Sequence, residues 1–162
     1  MNQILTPPST AVLPSIGDQL AISIGALNEL LRGEIAASET YGHAAETWQG
    51  SEADTLRACR RSHEVRMTLL RLRIEALGGH AVQDSGLWGM IARSAERAAF
   101  IHGPQAVLIA LWEGEDHVLE IQQSEIAVLD EESYELVRDV LHPQQKETLA
   151  LVRALLPAEQ HS

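Results

Sequence analysis

The stretch LLRGEIAASETY, residues 30–41, reads as helix, yet its apolar stripe is interrupted by a carboxylate. If Leu27 and Leu31 face a core, the next positions on the same face are Glu34, Ser38 and Tyr41, because residues three and four apart share a helix face. A buried carboxylate is costly unless something pairs with it. The rest of the chain must therefore supply a partner for Glu34, and the same helical spacing shows where to look.

Outward from this stretch, the spacing Leu20, Ile24, Leu27, Leu31 continues through Tyr41, Ala45 and Trp48, so the first helix starts near Ser15 or Asp18 and ends before Gly50, with Ser51 as the next cap. A second helix runs from about Glu52 to Leu77 and stops at Gly78 and Gly79; its stripe Leu56, Cys59, His63, Met67, Leu70, Ile74 also has one polar member, His63. Ser85 caps a short helix holding Leu87, Met90, Ile91, Ala95 and Ala98, and Pro104 opens the next at its first turn. That helix carries Leu111, Glu115, Val118, Gln122, Ile126 and Leu129. The last has Tyr134, Val137, Leu141, Gln145, Thr148, Val152 and Leu155 on one side. Pro143 interrupts it, predicting a kink with a freed carbonyl near Asp139, or two shorter helices in tandem. No strand-period alternation of useful length occurs. The expectation is an all-α fold: an antiparallel four-helix bundle over 16–158, ferritin-like in layout, with an extra short helix in the second connection and a Pro-rich N-terminal arm at 1–15, extended or disordered.

Composition bounds the function. The chain of 162 residues suits one domain, and its 45% hydrophobic content with only 4% aromatics places the core on Leu, Ile, Val and Ala, which favours helices. With 12 basic against 23 acidic residues the net charge is −11, a surface that repels phosphate backbones and anionic lipid. Neither nucleic acid nor membrane is an expected partner. Cys59 is the single cysteine, so there is no intrachain disulfide and no thiolate-rich zinc site. No apolar run reaches the length of a membrane span, and the N-terminus lacks the pattern of a signal peptide, so a cytoplasmic protein is expected.

Helical rise of about 1.5 Å per residue allows the polar residues to be levelled. Glu34 lies about 21 Å before Trp48 and His63 about 15 Å after Ala53; Glu115 lies about 21 Å before Leu129, and His142, Gln145 and Thr148 about 13–22 Å after Ser133. All four helices thus offer inward polar residues in one layer. Carboxylates and imidazoles meeting inside a bundle are the arrangement of carboxylate-bridged iron or manganese centres. Asp139 and His142 form an Asp-x-x-His pair, though Pro143 follows at once.

The segments LNELLRGEIAASETYGHAAE, SHEVRMTLLRLRIEALGG, GLWGMIARSAERAAF, ALWEGEDHVLEIQQSEI and VRDVLHPQQKETLALVRAL resemble an uncharacterised bacterial four-helix-bundle family of the ferritin-like superfamily, over nearly all of 22–156. RGE…ETY and EGEDH are the most distinctive pieces, and Glu34 followed by Tyr41 is similar to the first helix of bacterioferritin. The resemblance implies the bundle and a metal layer, but no established reaction. Two positions depart from it: Arg60 stands where a ferritin has a second-helix Glu, and Thr148 where a His is expected after PQQ. What remains supports a single iron or manganese ion held by Glu34, His63 and Glu115, with Glu39, His117, Asp139 or His142 in support, serving metal storage, sensing or oxidative-stress defence.

Blander readings stand beside this one. Glu34 and His63 can be a hydrogen-bonded pair left in the core, worth specificity more than stability, and Glu115 is solvated if its stripe shifts by one residue. His117 and His142 flank their stripes and read as surface residues; Tyr41 reads as a core aromatic with its hydroxyl tied to a neighbour, and Cys59 as a small buried hydrophobe. Arg57, Arg60, Arg61, Arg66, Arg71 and Arg73 form a basic face, for salt bridges to acidic helices or for docking a second acidic subunit. A non-enzymatic scaffold forming a homodimer, its metal chemistry lost, is the alternative function. A proton-transfer enzyme using Glu34 and His63 ranks last, since the sequence has no cofactor fingerprint or nucleophile motif.

Overall fold

The computed structural model describes residues 15–86, 89 and 101–157. Among these the chain is all-helical: α1 (Ile16–Thr47), α2 (Gly50–Ala76), α3 (Pro104–Glu125), a 3-10 turn (Ile126–Val128), then α4 (Glu131–Leu136), a π turn (Val137–Leu141) and α5 (His142–Leu155). The last three segments run on as one rod, making four helical rods among the elements described. No described helix is long and apolar enough to cross a membrane. The short helix expected over Leu87, Met90, Ile91, Ala95 and Ala98, and the arm at 1–14, lie outside the described residues.

Local chemistry sets the ends. Ser15 caps α1 in a capping box: its hydroxyl accepts from the Asp18 N–H at 3.2 Å, and the Asp18 carboxylate accepts from the Ser15 N–H at 3.1 Å. Helix α2 begins two residues earlier than expected, at Gly50 with Gln49 before it, so Ser51 is inside the helix and not its cap. Its end is as the paired glycines indicate. Gly78 takes φ +77°, and the Gly79 N–H closes back on the Ile74 carbonyl at 2.9 Å. A side chain at Gly79 would sit 2.8 Å from Ile24 Cγ2, so the chain passes hard against α1 there. Asn28 clasps the connection after it, donating to the His80 carbonyl and accepting from the Val82 N–H. Pro104 occupies the first turn of α3.

The fourth rod resolves the Pro143 question in favour of continuity. Its buried positions Ser133, Val137, Leu141, Gln145, Thr148 and Val152 begin with three spacings of four. On a straight α-helix these would rotate the stripe by about 120°. The wider π turn, closed by the His142 N–H on the Val137 carbonyl, absorbs most of that drift and places Gln145 and Thr148 inward. Pro143 has no N–H to lose at this point.

Among the described residues the apolar core falls into two parts. One holds Leu27, Leu30, Leu31, Ile35, Leu70, Ile74, Val137 and Leu141; the other holds Tyr41, Ala44, Ala45, Leu56, Cys59, Leu108, Leu111 and Val152. Burial of each large aliphatic side chain stabilises the fold by about 1.5–3 kcal/mol. Between the two parts, at Glu34, His63, Glu115, Gln145 and Thr148, every rod contributes a buried polar residue. The basic face of α2 is not a single surface. Arg57 and Arg60 pair within the helix, with Asp54 and Glu64; Arg73 reaches Asp130 and Glu132 across the fold; and Arg66 is fully buried.

Candidate functional site

His63 of α2 is the hub of the polar layer. It is 1% exposed, its Nδ1 lies 2.7 Å from Glu34 Oε2 of α1, and its Nε2 lies 2.9 Å from Glu115 Oε1 of α3. The Tyr41 ring stacks on the imidazole, centroids 5.1 Å apart. From α2 itself, Arg66 donates from Nε to Glu34 Oε2 at 2.9 Å and from Nη1 to the Ser62 hydroxyl at 2.9 Å. Glu115 is surrounded: its Oε1 accepts the Tyr41 hydroxyl at 2.5 Å, and its Oε2 accepts Gln145 Nε2 at 2.6 Å and Thr148 Oγ1 at 2.9 Å.

Charge around the ring favours a second proton on His63. Arg66 Nη2 lies 2.6 Å from His63 Nδ1 and can donate there only to a neutral ring, whereas two carboxylates on opposite nitrogens call for both to be protonated. Glu34 and Glu115 carry two negative charges against one on Arg66, and an imidazolium closes the balance at zero. Burial pushes the His63 pKa down, but the Glu115 charge and the hydrogen bonds the ring donates to Glu115 and Glu34 outweigh it, and the net direction is up. Glu115 answers in kind. Burial raises its carboxyl, yet His63 and the Tyr41 hydroxyl bring it below its ordinary value. Nearby, burial and the Glu115 charge hold the Tyr41 hydroxyl well above its ordinary pKa and push the Cys59 thiol up to about 12.

Glu34, His63 and Glu115 therefore converge as their levels along the helices indicated, and Glu115 is buried rather than solvated. The other four candidates share no hydrogen bond with them. Glu39 is exposed and accepts from Ser85 at 3.3 Å; His117 is exposed, 3.7 Å from Glu120; Asp139 is exposed and paired with Arg138. His142 faces Gln122 at 3.3 Å, half-buried, its pKa lowered by burial and by Lys146. Arg60, at the position where a ferritin has a second-helix Glu, lies at the surface. The cation of the layer is Arg66, which the helical pattern hides because Met67, one residue on, also fits the stripe. A better signal is the spacing Cys59, His63, Arg66, Leu70, all buried.

The donor types of Glu34, His63 and Glu115 suit iron or manganese. Their surroundings do not. Both imidazole nitrogens and both Glu115 oxygens are engaged by protein groups, and the guanidinium of Arg66 lies against Glu34 and His63. A divalent ion beside that fixed charge would meet repulsion in a medium that screens it poorly. With Arg66 in place, the residues present do not fit the metal.

No family model matches the chain, and neither the curated proteins nor the solved structures searched contain a match to it.

Proposed function

We propose that this chain is an antiparallel four-helix bundle of ferritin-like layout that serves as a metal-free helical scaffold, its inward carboxylate layer neutralised by Arg66 and protonated His63 in place of iron or manganese. The observation that carries the reading is the fully buried Arg66 guanidinium, bonded to Glu34 inside the layer. Thr148 supports it: where the ferritin-like resemblance implies a histidine, its hydroxyl donates to Glu115. Such a layer gives each helix one partner geometry, since any slip along the axes would strand a buried charge. A proton-transfer enzyme is disfavoured, because Glu34, His63 and Glu115 are each at most 2% exposed and a substrate must reach its general base. The lone buried Cys59 and the acidic surface fit a cytoplasmic setting without nucleic acid or membrane partners.

The test is metal analysis of protein purified after growth in excess iron or manganese. The expected result is far less than one ion per chain, with unfolding unaffected by a chelator. Stoichiometric metal that disappears in Glu34→Ala would overturn the proposal in favour of a second reading. In that reading Glu34, His63 and Glu115, which already meet from three helices, hold an iron or manganese ion for storage or sensing after Arg66 swings aside.

A further inference from the structure

Helix α2 leaves two large aliphatics on the side turned away from the core. Val65 is 51% exposed and Leu72 59% exposed, one heptad apart, while Leu69 between them packs against the core. Single exposed aliphatics are ordinary, but a repeat at seven residues is the seam of a paired helix. Opposite charges flank it. Arg61 lies one turn before Val65 and Glu75 about one turn after Leu72; both are exposed, and neither makes an ion pair with any described residue, although Arg57, Arg60 and Arg73 all do.

We propose that this face is the interface of a homodimer, in which α2 packs antiparallel to α2 of a second copy around a two-fold axis between Thr68 and Leu69. In that register Val65 meets Leu72 of the partner subunit, and Arg61 lies beside Glu75 of the partner subunit. The two-fold repeats both contacts, as an isologous interface requires. A parallel pairing fails, because it sets Arg61 against Arg61 of the partner subunit. The net charge of −11 makes two copies repel over most of their surface. The repulsion is eased along α2, where Arg57, Arg60 and Arg61 are exposed. At 27 residues and about 40 Å, the helix is long enough for a standard interface of roughly 800 Å² per partner. The inference is independent of whether the core layer ever takes a metal, so the two tests fail separately.

Sedimentation equilibrium of the full chain at micromolar concentration tests it. The wild type is expected at twice the chain mass and Leu72→Glu at the monomer mass, with an unchanged helical circular dichroism spectrum. Arg61→Glu is expected to weaken the dimer, and Arg61→Glu combined with Glu75→Arg to restore it. A monomeric wild type overturns the proposal, whether or not another protein co-purifies on this face. So does a dimer that persists in Leu72→Glu, or one that the charge exchange fails to rescue.

Discussion

The guanidinium of Arg66 donates to Glu34 Oε2 at 2.9 Å, and both side chains are all but removed from solvent. Removing one member of a buried pair leaves the other charge uncompensated, a loss of about 3–5 kcal/mol. Arg66→Met should cost that much in a urea titration. Glu34→Gln combined with Arg66→Met should cost less than the sum of the two single variants, because each substitution removes the charge that the other strands. Strict additivity would mean that the two side chains are not coupled.

His63 supplies a pH signature. Its folded pKa lies above its ordinary 6.5, so the stability it contributes is complete below about pH 6.5 and is lost as pH rises through the higher folded value. Glu115 works at the other end. Its folded pKa lies below its ordinary 4.5, so its contribution is present above that pH and is lost as pH falls through the lower folded value. The stability of the wild type relative to His63→Gln should therefore shrink on the alkaline side of neutrality, as read from urea midpoints. A difference that grows with rising pH would show that the buried ring is neutral.

Asp130 joins the third rod to the fourth and clamps both to α2. It caps α4 by accepting from the Ser133 N–H at 3.2 Å, donates its own N–H to Ser23 of α1, and pairs with Arg73. Burial raises its carboxyl, but the bonds from Ser133 and Arg73 outweigh this and hold its pKa below the ordinary carboxylate value. Asp130→Ala should destabilise the fold by about 1–2 kcal/mol, measured by thermal or urea unfolding, and the loss should fade in acid, where the wild-type carboxyl also protonates.

Cys59 should be inert in the native state. It is 0% exposed and its thiol is pushed up to about 12, chiefly by burial and then by the Glu115 charge, so almost no thiolate forms near neutrality. Labelling with an aromatic disulfide reagent should proceed at the rate of unfolding and accelerate in Arg66→Met. Rapid labelling of the folded wild type would show that the core around Tyr41 and Glu115 opens locally.

The sequence by itself determined the helices and the convergence of Glu34 with His63 and Glu115, because the apolar period and a constant rise per residue fix both face and depth. It also located the disturbance at Pro143, since a missing N–H is a local property. It did not single out Arg66. Positions 66 and 67 both share a face with His63, and only the rotation of α2, set by packing against its neighbours, decides that Arg66 turns inward and Met67 lies at the edge. Nor did it assign Thr148 and Gln145 to Glu115, because those bonds depend on a π turn whose extra residue resets the register of the last rod. Faces and depths are local quantities along one helix, while the identity of the cation opposite a buried carboxylate depends on how several helices rotate together, and tertiary packing alone sets that.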